Sequence, residues 1–484
     1  MSEVLQLPPI RPRERASAAE LRAGVQGARV TVVGGARSGL SVARLLTRHG
    51  ADVFLTDAGP ALEGVETKLA DNGIPAEFGG HTARALDADW LVVSPGVPTT
   101  AGLVQSALRQ RKPVYAEIEV ASWFCPGPIV AVTGSNGKTT TTTLIGHVLE
   151  VAGRGHVVAG NIGVAFSDFV DDLEADTVVV LEVSSFQLDH IATFRPHAAV
   201  LLNITPDHLD RYDHDVERYG AAKLRLFDNL GPGDWLIYNL DDARIREHVQ
   251  RLAAERGLTP VAFSAEHEPT PGAFARDGHL VLALPDSSAP GAPPMEEDLM
   301  PSSDLALRGT HNLYNSLAAA IVARAVEIRS DVVRESLTSF EGVPHRLETV
   351  RTVGGVRFVN DSKATNVNAV WYALESVPAT EPSIVLIAGG RDKGNDYEPL
   401  KRLVEEKVKG VVVIGEGADV LEAELGPHTD RVAHASSMEE AIQFARLMAE
   451  SGDTVLLSPA CSSFDMFDNY EDRGDTFKRL VYAI

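Results

Sequence analysis

Thr133-Gly134-Ser135-Asn136-Gly137-Lys138-Thr139-Thr140 stands between an apolar β-branched run and a stretch of helical periodicity. Glycines at such a junction let backbone N–H groups curl round a phosphate, and the N-terminus of the following helix adds a favourable dipole. Gly134, Ser135, Asn136, Gly137 and Thr140 would line that cradle, Lys138 can reach the β- and γ-phosphates of a nucleotide, and Thr139 offers a hydroxyl to Mg²⁺. The full-length phosphate-loop signature needs a glycine five residues before Gly137; Val132 stands there, so this loop is a shortened variant. A second glycine-rich turn, Gly34-Gly35-Ala36-Arg37-Ser38-Gly39, follows the run ARVTVV. Alone it reads as a dinucleotide fingerprint with Asp57, about twenty residues on, holding a ribose, although Ala36 replaces the middle glycine.

Such turns work only at strand ends, and the chain supplies the strands in three groups. ARVTVVGG, ADVFLTD and ADWLVVSPG flank the helical SGLSVARLLTRHG; PIVAVTG, TVVVLEVSS, HAAVLLNI and DWLIYNL surround the phosphate loop; RFVNDS, SIVLIAGG, GVVVIGEG and TVLLSPA close the chain. Strand, turn and helix in alternation predict parallel, doubly wound sheets. Pro126–Pro128 marks a boundary, and a third segment begins near Val343. The expected fold is α/β with three domains: a Rossmann-like domain over 1–117, a central phosphate-loop domain with a mostly parallel sheet over 118–342, and a second Rossmann-like domain over 343–484. Residues 311–329 predict a helix. Residues 264–303 are rich in Pro, Ser, Gly and acids around one strand-like run, HLVLAL, and predict an exposed, partly mobile loop or hairpin insertion.

With 484 residues, 44% of them hydrophobic, the chain can bury several cores. Its net charge of -23 argues against a nucleic-acid partner, which calls for excess Lys and Arg. Cys125 and Cys461 allow neither a disulfide framework nor a zinc site. The absence of a signal-like N-terminus or a long uncharged apolar run predicts a cytoplasmic protein with no membrane partner.

Further motifs follow in order: Gly160-Asn161-Ile162-Gly163, Leu181-Glu182-Val183-Ser184-Ser185-Phe186-Gln187-Leu188, Asn203-Ile204-Thr205-Pro206-Asp207-His208 and Ala222-Lys223. After them come Gly309-Thr310-His311-Asn312 with Asn315, Pro344-His345-Arg346, Asp361-Ser362-Lys363-Ala364-Thr365-Asn366, Gly389-Gly390-Arg391-Asp392-Lys393-Gly394 and Ser458-Pro459-Ala460-Cys461-Ser462-Ser463-Phe464-Asp465. Together with the loop TGSNGKTT they resemble the Mur ligase family, and DSKATN and SPACSSFD are most similar to its D-glutamate-adding branch. The resemblance runs from about residue 28 to the end. It implies a UDP-binding domain, a central ATPase and a C-terminal amino-acid-binding domain. It also implies ATP-driven addition of D-glutamate to UDP-N-acetylmuramoyl-L-alanine through an acyl phosphate, by a monomer. Related ligases adding other amino acids, or extending folates, keep the same ATP chemistry. A non-enzymatic dinucleotide-binding regulator would leave Lys138, Glu182, His208 and Lys363 idle.

The same resemblance assigns roles. Glu182 joins Thr139 on one Mg²⁺; His208 and Lys223, the latter carbamylated by CO₂, hold a second. Only a neutral amine takes up CO₂, so the pKa of Lys223 must be depressed. Lys138, Asn161, His208 and Lys223 form the catalytic group, with Asn161 orienting the substrate. Asn312 and Asn315, which share a helical face, join Arg346, Asp361 and Lys363 around ATP, so that ATP draws domains together. Thr365, Lys393, Ser463, Phe464 and Tyr470 resemble the D-glutamate pocket. Arg37, Ser38, Ser94 and Gly96 resemble the UDP site. Ala58 and Gly59 stand where the family often has polar or basic residues, which leaves the uracil contacts open.

Overall fold

The computed structural model describes residues 17–207, 209–285, 293–377, 379, 381–392 and 394–484. Three sheets form among them. The first contains β1 (Arg29–Val33), β2 (Asp52–Asp57), β3 (Ala76–Phe78), β4 (Trp90–Val93) and β5 (Val114–Ala116), all parallel, in the order β3-β2-β1-β4-β5. Connections leave β1 in opposite directions, so the crevice at the carboxyl ends of β1 and β4 is a switch point, where open α/β sheets bind ligands. Gly34 and Ser94 lie there.

The second sheet contains β6 (Ile129–Thr133), β7 (His156–Gly160), β8 (Val178–Glu182), β9 (Ala198–Leu201), β10 (Trp235–Asn239), β11 (Val261–Ser264), β12 (Gly272–Arg276), β13 (His279–Leu284) and β14 (Met295–Pro301). Its order is β14-β13-β12-β11-β10-β9-β6-β8-β7. The central β6, β8 and β9 are almost wholly apolar and buried, as strands covered on both faces must be. Their carboxyl ends deliver the phosphate loop, Glu182 and Asn203 side by side.

Of the two alternatives expected for residues 264–303, the hairpin is the one found and the loop needs correction. Outside 286–292, which lie beyond the described residues, this stretch is largely ordered strand: β12 and β13 pair antiparallel, and β14 extends the sheet. MEEDLMP carries no β-branched residue and reads as loop. Its acids suit an exposed edge, where charge discourages further pairing, and Arg276 bonds both Glu268 and Glu296.

The third sheet contains β15 (Glu348–Val353), β16 (Val356–Asn360), β17 (Ile384–Gly389), β18 (Val408–Ile414), β19 (Val432–Ala435) and β20 (Thr454–Leu457), in the order β15-β16-β20-β17-β18-β19. Only β15 is antiparallel, at one edge. Alternate residues feed two cores: Leu386, Val411, Val413 and Leu456 on one face, Val385, Ile387, Val412 and Leu457 on the other. Each such side chain contributes roughly 1.5–3 kcal/mol when fully buried.

The chain divides into two compact units, 1–305 with 314–339, and 306–313 with 340–484. Within the first unit, one apolar cluster runs from Val30, Leu45 and Ile118 through Phe166 to Val179 and Leu201, so the first two sheets share a core. Polar ties reinforce the junction. Buried Glu117 accepts from the Ser167 N–H and hydroxyl, both at 2.7 Å, and Arg44 pairs with Asp168. No helix among the described residues is long and apolar enough to cross a membrane.

Candidate active site

The phosphate loop owes its shape to two glycines with positive φ, Gly134 at 156° and Gly137 at 82°. A Cβ on Gly137 would collide with Asn315 Oδ1, so the loop has both a conformational and a steric need for glycine there. Lys138 opens the helix Lys138–Val151 and folds back, its ammonium donating to the Gly134 and Ser135 carbonyls at 2.8 Å each. The Thr139 hydroxyl donates to Glu182 Oε2 at 2.7 Å, and the Asn161 amide donates to Glu182 Oε1 at 2.9 Å. Gly160 lets the chain pass close over the Glu182 carbonyl, which accepts from the Asn161 N–H. Three separately read motifs therefore converge on one buried carboxylate. Asn315 closes the loop from behind, accepting from the Thr141 hydroxyl at 3.1 Å.

Lys223, on the helix Val216–Leu224, is 1% exposed and donates to the Gly134 carbonyl at 2.9 Å. Its amine lies over the Tyr219 ring. Burial, and then the nearby Lys138 charge, hold its pKa well below the ordinary lysine value. His208 lies outside the described residues.

Residues without an assigned role in the sequence reading brace this loop. Asn203, just beyond β9, accepts from the Asn136 N–H at 2.9 Å and donates to the Asn136 carbonyl at 3.1 Å. Ser135 and Thr205 exchange a similar pair of bonds. The signal was present in NITPDH, since a polar residue two positions past a buried strand is placed to meet the neighbouring turn.

In the first sheet, the Gly34–Gly39 turn packs tightly: a Cβ on Gly34 would stand 2.8 Å from Ser94 Cβ and Oγ. Arg37 and Gly96 are exposed, Ser38 half-buried and Ser94 buried. Asp57 accepts from the Gly35 and Gly59 N–H groups at 2.6 and 2.8 Å. Both its oxygens thus hold backbone, in contrast to the ribose contact that a dinucleotide fingerprint requires.

Three family models match in succession: the MurD-like N-terminal domain over residues 28–116, the Mur ligase middle domain over 132–323 and the Mur ligase glutamate ligase domain over 345–461. The UDP-N-acetylmuramoylalanine–D-glutamate ligase of Salinibacter ruber is 58% identical over 95% of this chain and 99% of its own length. The chain belongs to the Mur ligase family. The ligase of the same name from Chloroherpeton thalassium is 46% identical over 94% and 98% of the two chains. Among solved structures, Thermotoga maritima MurF ligase in complex with ADP (TM-score 0.57, 18% identity, full coverage of both chains) shares the fold. So does UDP-N-acetylmuramate-alanine ligase from the same organism (TM-score 0.56, 20% identity, 94% and 99% coverage).

The second unit of this Mur ligase gathers its own polar set at the carboxyl ends of β16, β17 and β20. Arg346 sits between His345 and Leu347, both at positive φ, and the buried His345 ring is held by Asn360. Asp361 is 1% exposed and accepts from the Leu347 N–H and the Ser458 hydroxyl. Burial pushes its pKa up to about 6, against the pull of the Arg346 charge. With one bond to each oxygen, the carboxylate anchors the Arg346 turn. Lys363 donates to the Tyr470 hydroxyl at 3.1 Å and lies over its ring, and the Thr365 N–H donates to the Lys363 carbonyl. Ser463 is buried and Phe464 is 65% exposed. Lys393 lies outside the described residues. Buried Arg473, missed in the sequence, ties Ser362, Gly389 and Cys461 together beneath this set. The Asn312 amide donates to the Arg308 carbonyl at 2.8 Å.

Proposed function

We propose that this chain joins D-glutamate to the alanyl carboxylate of UDP-N-acetylmuramoyl-L-alanine, driven by ATP, in the cytoplasmic synthesis of the peptidoglycan precursor. The observation that carries this reading is 58% identity, over nearly the whole chain, to a relative named for that ligation. The convergence of Lys138, Thr139, Asn161 and Glu182 supports it.

The acceptor carboxylate attacks the γ-phosphorus of ATP, ADP leaves and an acyl phosphate forms. The D-glutamate amine then adds to the acyl carbon, phosphate departs with one former carboxylate oxygen, and the amine gives up a proton. Two anions must meet in the first step, so the protein's task is positioning and charge neutralisation. The N–H groups of 134–140 and the Lys138 ammonium would take the phosphates, Lys138 turning outward from its loop carbonyls. Asn161 would orient the acceptor. Thr139 and Glu182 are hard oxygen donors 2.7 Å apart, a set that suits Mg²⁺, which would neutralise phosphate charge when bound. Unmodified Lys223 offers no ligand oxygen. Its depressed pKa supports a neutral amine that takes up CO₂, and the carbamate would hold a second ion with His208.

Division of labour follows the three-domain reading. Residues 1–117 hold the nucleotide sugar through Arg37, Ser38, Ser94 and Gly96. Residues 118–342 hold ATP, with Asn312 and Asn315. Residues 343–484 add Arg346, Asp361 and Lys363 to the nucleotide and take D-glutamate with Thr365, Lys393, Ser463, Phe464 and Tyr470. The enzyme acts as a monomer.

Isotope transfer tests the reaction. With ¹⁸O in the alanyl carboxylate, the released phosphate should carry one ¹⁸O per turnover with D-glutamate, and none should form with L-glutamate. Phosphate free of ¹⁸O while amide product accumulates would rule out the acyl phosphate.

A further inference from the structure

Arg211 lies in the single turn Leu209–Arg211, three residues past His208, and reaches from the second sheet's body to the first. Its guanidinium donates to the Pro95 carbonyl at 3.1 Å and the Gly96 carbonyl at 2.6 Å. It stacks 4.2 Å above the Phe186 ring, which itself stacks on Tyr212. The other end of the same loop is fastened as well: the Thr99 hydroxyl meets His190 Nε2 at 3.1 Å, and the Gln105 amide donates to the Thr99 carbonyl. The peptide unit is planar and trans, so a carbonyl turned onto Arg211 aims the N–H of the same unit the opposite way. Holding the Pro95 carbonyl therefore fixes the direction of the Gly96 N–H, at an exposed residue.

We propose that Arg211 is a positioning residue: it orients the Ser94-Pro95-Gly96 turn so that the Gly96 N–H faces an anionic or carbonyl oxygen of the nucleotide sugar, and it ties that turn to the segment carrying Asp207. The inference rests on the reading of this turn as part of the nucleotide-sugar site. A planar fork that bridges two carbonyls while stacking on an aromatic ring is a task for arginine, and lysine replaces it poorly.

Steady-state kinetics and calorimetric binding of UDP-N-acetylmuramoyl-L-alanine, on the full chain, test it with Arg211→Ala, Arg211→Lys and Gly96→Pro. Loss of two charge-assisted bonds should raise KM and Kd for the nucleotide sugar about tenfold or more. KM for ATP should stay within about twofold of wild type. Arg211→Lys should recover only a minor part. Gly96→Pro, which deletes the N–H, should match Arg211→Ala, and the double variant should be no worse than either single one. Unchanged nucleotide-sugar affinity in Arg211→Ala overturns the proposal. So does a parallel fall in kcat, ATP affinity and Tm, which marks a mere strut. If only Gly96→Pro weakens binding, the turn belongs to the site and Arg211 does not orient it; if neither variant weakens binding, the turn itself was misassigned.

Discussion

Lys223 is a buried cation that the fold discourages from being one. An unfolded lysine keeps its proton up to about its ordinary pKa of 10.5, whereas burial and the Lys138 charge depress the folded value. Folding therefore works against that proton; the resulting cost is absent above the ordinary pKa and grows as pH falls towards the depressed folded value. In CO₂-free buffer, Lys223→Met should therefore melt at higher temperature than wild type at pH 7, with the gain shrinking as pH rises and lost only above the ordinary pKa of 10.5; a lower Tm at pH 7 would contradict a suppressed charge. Lys223→Ala should lower kcat by about a hundredfold or more, the cost of removing a group that stabilises transferring charge. Short carboxylates such as formate should restore part of the rate, and failure of every such acid would count against a carbamate. Of these residue-level features, the phosphate loop was legible because its glycines and Lys138 stand together in one short stretch. The depressed pKa of Lys223 was expected only through the family resemblance: its place in a helix alone reads as a solvated residue, and it is the fold that buries it.

Strand ends and the turns that follow them do most of the positioning. Gly137 shows how little latitude remains: Gly137→Ala should abolish ATP binding, measured by calorimetry, because the new methyl meets Asn315 Oδ1 in a left-handed backbone conformation. At the junction of the first two sheets, burial lifts the Glu117 pKa to about 7 from an ordinary 4.5. A raised carboxyl pKa favours the folded state below the ordinary value, and that contribution is lost as pH rises through 7. Glu117→Gln should thus be more stable than wild type at pH 8, by up to ~3 kcal/mol, and nearly equal at pH 5. Denaturant melts at the two pH values check this, and a difference independent of pH would refute it. Long apolar strands such as β6, β8 and β17 are plain in the sequence because burial on both faces demands continuous Val, Ile and Leu. β14 is not, since its edge position selects for acids, and strands as short as β3 and β5 carry no periodic signal.

Across the whole molecule, each of three sheets, parallel at its centre, presents a polar turn at the carboxyl ends of its strands. The order of motifs along the chain made this arrangement readable. What bridges the turns did not show: Asn203 on the phosphate loop, Arg211 on the Pro95–Gly96 turn and Asp57 on Gly35 are long-range contacts that topology creates. A ligand that binds only the folded protein raises its stability, by about 2.7 kcal/mol at a hundredfold excess over Kd. ADP with Mg²⁺ should therefore raise Tm, and should leave Lys138→Ala nearly unmoved. The most direct measurement is ATP-dependent phosphate release by the purified chain with UDP-N-acetylmuramoyl-L-alanine and D-glutamate, with product mass read in parallel and with L-glutamate and a folate acceptor as controls. Turnover confined to the muramoyl acceptor and D-glutamate, with the product heavier by one glutamyl residue, is the expected result; turnover with a different amino acid or with folate, or none from folded, ATP-binding protein, would contradict it.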